Sequence, residues 1–221
     1  MKKKYLNVQL YIWLSFVVLS IISILIPQID LYVSSLFYDG KTFTLNHTFL
    51  EAFFYHSVQP LILIFSISSL MIFLYNIITK KNIFNINSKV ILYIFLVLSI
   101  APGLIVNVIL KDNWGRPRPA QTIEFGGKMN FMPAFIPSKQ DGYSFSSGHT
   151  AAAFSLIGFV LLLKRRKKLW MTFALTYGVL VSIARIASGG HFLSDVLTSF
   201  FIVYIFTHLF YKLIFKKNSN V

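Results

Sequence analysis

At 221 residues, 56% hydrophobic and 13% charged, with a mean hydropathy of +0.67, the chain is far more apolar than a soluble domain, in which about a quarter of residues are charged, and it reads as an integral membrane protein. It has no cysteine, which excludes a disulfide framework, a thiolate metal site and a thiol nucleophile. The formal charge of +14 could point to nucleic acid, but basic residues in membrane proteins mark cytoplasmic loops, so their positions decide.

Lys2, Lys3 and Lys4 precede an apolar run over about residues 6–26, long enough to span a ~30 Å hydrocarbon core and ended by Pro27. A signal-peptide core is shorter, ~7 to 15 residues, and a small-residue cleavage site follows it; the run therefore reads as an uncleaved first span. Residues 28–50 are mixed, with Asp30, Asp39, Gly40, Lys41, Asn46 and His47 interrupting short apolar pieces, and are expected to lie along the interface. A second span is predicted over about residues 52–78, with Pro60 near its outer end and Lys80 and Lys81 closing it. The third covers about residues 90–110 and contains Pro102-Gly103, a kink that packed neighbours tolerate.

A polar loop of roughly 38 residues follows, beyond the ~12 to 15 at which structureless connections become uncommon, and is read as functional. The fourth span covers about residues 150–163, short enough that its helix is expected to begin near Gly148. The basic run Lys164-Arg165-Arg166-Lys167-Lys168 separates it from a fifth span over about residues 169–187. A sixth runs over about residues 192–210 towards Lys212, Lys216 and Lys217. The expected fold is an all-α, polytopic membrane protein: one domain over residues 1–221, six transmembrane helices, a long periplasmic loop between the third and fourth, and both termini cytoplasmic.

With that topology, 14 of the 21 basic residues fall on the cytoplasmic side. Lys41, Lys111, Arg116, Arg118, Lys128, Lys139 and Arg185 fall on the outer side or just inside its boundary, with all 7 acids: Asp30, Asp39, Glu51, Asp112, Glu124, Asp141 and Asp195. The positive-inside rule is satisfied throughout, and a nucleic-acid partner is unnecessary.

Three outer clusters carry chemistry. Lys111, Arg116 and Arg118 surround a stiff Arg-Pro-Arg-Pro element suited to a fixed anion clamp, the alternative being a basic loop against lipid headgroups. Ser146-Ser147-Gly148-His149-Thr150 opens a helix whose first amides can hold an anion that Gly148 lets approach closely; the plainer reading is a serine N-cap and an interfacial histidine. Arg185 ends a span, Gly189-Gly190 breaks it, and His191 and Asp195 are four apart on one helix face. There Asp195 can accept the Nδ1 proton of His191 and leave Nε2 free, although a simple Arg185–Asp195 salt bridge also fits.

Taken together, Lys111-x6-Arg118-Pro119, Ser147-Gly148-His149 and Arg185-x5-His191-x3-Asp195 resemble the three-part signature of the type 2 phosphatidic acid phosphatase superfamily, over roughly residues 111–195. The resemblance implies a six-helix membrane phosphatase that needs no metal and no cofactor. It implies that Lys111, Arg118 and Arg185 hold phosphate oxygens while Ser147 and the Gly148 backbone complete the cradle, with Arg116 a further candidate. It also implies that His191 is the nucleophile forming a phosphohistidine, Asp195 its orienter and His149 the general acid. Ser146 stands where proline is usual and Ala184 where serine is usual. His47, His56 and His208 match nothing in the signature and are read as interfacial or packed.

The loop text Gly115-Arg116-Pro117-Arg118-Pro119, Phe125-Gly126-Gly127 and Ser144-Phe145-Ser146-Ser147-Gly148-His149 is most similar to bacterial members acting on lipid A. That implies a lipid phosphate substrate, an inner-membrane location and a periplasmic site. Alternatives are a polyprenyl diphosphate or phosphatidylglycerophosphate phosphatase, a phosphotransferase that delivers phosphate to lipid A, and, from another class, a non-catalytic lipid-binding protein.

Overall fold

The computed structural model describes residues 4–6 and 8–215, so the expectations placed on Lys2, Lys3, Lys216 and Lys217 lie outside the described residues. A short antiparallel pairing of Lys4–Tyr5 with Val8–Gln9 precedes the first helix, α1, which begins at Leu10 rather than near residue 6 and ends at Leu25. Its 16 residues extend only about 24 Å. Beyond Pro27 the chain turns through 87° into α2, Gln28–Ser35, nearly perpendicular to α1.

Helix α3, Phe49–Thr79, starts at an N-cap in which Thr48 Oγ1 accepts from the Glu51 amide at 3.3 Å, and it ends at Lys80 in the left-handed region. Helix α4, Ser88–Lys111, is α-helical to Leu98 and π-helical from Ser99 onward. Pro102 has no amide to donate to the α ladder, and the wider coil re-pairs the backbone, with Asp112 N donating to Asn107 O at 3.2 Å and Asn107 Nδ2 to Pro102 O at 2.8 Å. The expected kink is thus taken up as a change of helical pitch that sets where Lys111 emerges.

The remaining helices are α5, Gly148–Leu162, with a turn at Ser155; α6, Lys167–Ala187; and α7, Leu193–Phe215. Among the described residues, α3, α4, α6 and α7 are long and apolar enough to cross a membrane, and the bent α1–α2 pair makes a fifth candidate. Helix α5 is shorter, and it is the centre of the bundle. It packs against α3, α4, α6 and α7, and its Ala151, Phe154 and Ile157 form one core with Val106, Ala174 and Val203. A helix sheathed by others on most sides need not match the lipid thickness by itself. The fold is therefore a mostly helical membrane protein in which the ends of α3, α4, α5, α6 and α7 meet around the long loop.

That loop is folded. Arg116 O accepts from Ser144 N at 2.9 Å and Trp114 O from Ser138 N at 2.8 Å, so its two arms run together before entering α5.

Candidate active site

Five predicted groups converge where these helix ends meet. Lys111, the last residue of α4, has Arg118 and Arg185 as electrostatic neighbours. His149, in the first turn of α5, is reached by the charges of Arg185, His191, Lys111 and Arg118. Like charges brought this close repel one another, and an anion held among them would offset that cost.

The α6–α7 turn supplies two of the five. Arg185 O accepts from both Gly190 N at 3.0 Å and His191 N at 3.1 Å, which clips the turn onto the end of α6. A Cβ on Gly190 would lie 2.2 Å from Arg185 Nη2, so the missing side chain is what makes room for the guanidinium. Arg185 is buried, its Nη1 donates to Glu51 Oε1 at 3.0 Å, and its Nε has no partner among the described residues. A buried guanidinium N–H without an acceptor is costly, and a phosphate oxygen is an acceptor suited to it. The alternative Arg185–Asp195 bridge does not form; Glu51 takes that place.

His191 is 2% exposed. Its Nδ1 lies 2.8 Å from the Ser144 carbonyl and 3.8 Å from Asp195 Oδ2, so the hydrogen-bond acceptor is the carbonyl rather than the carboxylate. A carbonyl can only accept; the proton is therefore on Nδ1 and the lone pair on Nε2. Burial pushes the imidazole down to about 4, with Asp195 pulling the other way and the charges of Arg185 and Arg118 lowering it further.

Asp195 acts one step removed. Its Oδ2 accepts from Ser144 Oγ at 2.6 Å and from Phe192 N at 2.8 Å, and its Oδ1 from Arg116 Nη1. Ser144 thus joins both groups, its carbonyl fixing His191 and its hydroxyl fixing Asp195.

Arg116 corrects an expectation. It is wholly buried, with Nε donating to Met132 O at 2.8 Å, Nη1 to Ser194 Oγ at 2.9 Å and to Asp195, and Nη2 to Asp30 Oδ2 at 2.8 Å. Its guanidinium also lies over Phe192 at 4.4 Å. A cation committed to two carboxylates and shut away from water does not face a phosphate site. Arg116 fixes the framework, while the charge of Arg118 acts on Lys111, His149, Arg185 and His191.

Ser147 caps α5, its Oγ accepting from Thr150 N at 3.4 Å, and the amides of Gly148 and His149 that follow have no intrahelical acceptor. A Cβ on Gly148 would lie 2.5 Å from Asn107 Oδ1, so glycine here also lets α5 start against α4. The hydroxyl of Ser146 is buried without a partner among the described residues. Of the histidines outside the signature, His56 packs edge-on against Tyr55 and His208 stacks on Tyr204.

Sequence reasoning missed Asp30, Glu51, Tyr55 and Ser144. Asp30 alone had a visible signal, an acid in an otherwise apolar stretch following a span. The other three are unremarkable in type and meet their partners only across long stretches of chain.

Three curated relatives match this geometry's sequence. A protein of Francisella tularensis subsp. novicida named lipid A 4'-phosphatase is 40% identical over 135 residues, covering 59% of this chain and 61% of its own length. Proteins of the same name from Rhizobium etli and Rhizobium leguminosarum are 43% and 38% identical over 106 and 102 residues, each covering 45% of this chain and 40% and 44% of their own lengths. The aligned segment thus spans less than two thirds of each relative. No solved structure matches the chain. The pattern of the PAP2 superfamily matches residues 92–219, more than half of the sequence and all three motif clusters, and the chain belongs to that superfamily.

Proposed function

We propose that this chain is a membrane lipid phosphatase that removes a phosphate monoester from lipid A through a phosphohistidine. The observation that carries the reading is the convergence of Lys111, Arg118 and Arg185 on two imidazoles, of which His191 presents an unprotonated Nε2. The names of the relatives point to the 4'-phosphate as the one removed.

In the first step Nε2 of His191 attacks phosphorus, the P–O bond to the sugar breaks, and His149 gives its proton to the departing alkoxide. Lys111, Arg118, Arg185, Ser147 and the Gly148 amide stabilise the charge that spreads over the equatorial oxygens. Asp195, tied down by Arg116 and Ser144, sits 3.8 Å from Nδ1 and stabilises the positive charge that develops on the ring. In the second step water attacks phosphorus, His149 takes its proton, the N–P bond breaks and inorganic phosphate leaves. The bound phosphate dianion supplies the counter-charge that an imidazolium at His149 needs.

The chain is read as one membrane domain of six spans, α5 being the short central one, with its site on the periplasmic face of the inner membrane and its tails cytoplasmic. Support comes from the charge distribution, with the basic ends Lys80, Lys81, Lys89 and Lys164 to Lys168 opposite the site. The test is phosphate release from lipid A by the purified chain, with mass analysis of which phosphate is lost. Turnover of the 4'-phosphate that disappears in His191→Ala is the expected result. No release from lipid A, with cleavage of a polyprenyl diphosphate or phosphatidylglycerophosphate, overturns the substrate; activity surviving in His191→Ala overturns the nucleophile.

A further inference from the structure

Two side chains from α3, outside the segment that defines the family, reach into this site. Thr48 fixes the first turn of α3, and Glu51 and Tyr55, four residues apart, share one face of it. Glu51 Oε1 accepts from Arg185 Nη1 at 3.0 Å. The ring of Tyr55 lies 4.1 Å from the His149 imidazole, centre to centre and tilted by 31°, and 5.0 Å from the guanidinium carbon of Arg185. One phenol ring therefore touches both the imidazole that is to give the proton and the cation that is to hold the phosphate. An aromatic face attracts a cationic partner and holds a planar one in register. With Nη1 taken by Glu51, the unpartnered Nε of Arg185 is left for the substrate.

We infer that Glu51 and Tyr55 are positioning residues for the phosphoryl transfer, Tyr55 setting the general-acid imidazole of His149 and Glu51 setting the guanidinium of Arg185. The inference rests on the proposed function. It assigns α3 a part in catalysis that the three motifs do not contain, and it divides the labour: Tyr55 acts on proton delivery, Glu51 on phosphate binding. Tyr55 is 38% exposed and Glu51 is only half-buried, so neither is a core residue on which the fold depends.

The test uses two phosphate monoesters sharing one lipid tail, dodecyl phosphate and a dodecyl-nitrophenyl phosphate, with the full chain in detergent. An alkoxide needs a proton to leave and a nitrophenolate does not, so in kcat/KM, which covers the steps up to the phosphohistidine and excludes the attack of water, a defect in the general acid shows on the first ester only. Tyr55→Leu should lower kcat/KM on the alkyl ester about 10-fold or more, within the range a general acid contributes, and leave that of the nitrophenyl ester within about 3-fold. Tyr55→Phe, which keeps the ring, should restore the alkyl rate. Glu51→Ala should raise KM about 10-fold for both esters without changing their ratio, and Glu51→Gln, which can still accept from Arg185, should recover most of it. Equal losses on both esters in Tyr55→Leu, or no loss on either, overturn the role of Tyr55; an unchanged KM in Glu51→Ala overturns that of Glu51. Wild-type protein that releases phosphate neither from these esters nor from lipid A overturns the proposed function instead.

Discussion

The carbonyl of Ser144 accepts the Nδ1 proton of His191 at 2.8 Å, leaving Asp195 at 3.8 Å as an electrostatic neighbour. This arrangement separates two tasks that a carboxylate alone would combine. The carbonyl fixes the tautomer without pulling the imidazole towards its charged form, and Asp195, its charge already met by Arg116, adds only partial stabilisation of the cation.

The consequence is a pH profile displaced to acid. Burial pushes His191 from its ordinary 6.5 to about 4, so the neutral, nucleophilic form persists as pH falls and is lost only near 4. Because kcat/KM reports the free enzyme, its acid limb should fall near pH 4 once the second ionisation of the substrate phosphate, near pH ~6, is divided out. A limb centred near the ordinary histidine value would show that the ring is solvated or hydrogen-bonded differently.

Arg116 and Arg118 stand two apart in the same Arg-Pro context and should fail in different ways. Removing Arg116 leaves the buried carboxylates of Asp30 and Asp195 facing each other without a cation, a loss that costs about 3–5 kcal/mol when one partner of a buried pair is deleted. Arg116→Ala should therefore unfold at lower temperature in detergent and accumulate poorly. Arg118→Ala should keep its melting temperature and lose activity, chiefly through KM. A folded, stable Arg116→Ala protein with a raised KM would return Arg116 to the phosphate.

Much of this division was legible in the sequence. Apolar runs marked the helices, and three polar clusters marked the places where α4, α5, α6 and α7 end or begin. The start of α1 was not legible, because Val8 is apolar yet belongs to a pairing with Tyr5. The resemblance put Arg118 on the phosphate and left Arg116 a further candidate, and residue type and spacing could not say where Arg116 goes. That placement depends on Asp30, 86 residues from Arg116, and Asp195, 79 residues away, arriving on either side of one guanidinium. Ser144 was hidden for the same reason, since half of its contribution is a backbone carbonyl that any residue possesses. Glu51 lies 134 residues from Arg185 and carries no motif.

Gly190 offers a test of the cradle that leaves every functional group in place. Its α-carbon faces the Arg185 guanidinium so closely that a methyl group would sit 2.2 Å from Nη2, and the flexible end of the arginine must move away. Displacement of a clamp by about 1 Å can cost on the order of 10²-fold in rate. Gly190→Ala should thus reduce kcat/KM by about that factor with little change in melting temperature, because the side chain that yields is exchanged for no cavity. Wild-type activity in this variant would mean that Arg185 does not hold the phosphate.

The orientation of the site can be tested because the chain has no cysteine of its own. Lys128 lies exposed on the long loop, while Lys81 and Arg165 are exposed at the ends of α3 and α5 remote from His149. If α3 and α4 are antiparallel spans and α5 and α6 are another pair, Lys81 and Arg165 share one side and Lys128 lies on the other. Single substitutions Lys128→Cys, Lys81→Cys and Arg165→Cys in otherwise native chains should then react unequally with a membrane-impermeant maleimide. In spheroplasts only Lys128→Cys should label, and the other two should label after the membrane is opened. Labelling of Arg165→Cys from outside would place the site on the cytoplasmic face, where it would meet lipid A before export, and would reverse the reading drawn from the basic residues.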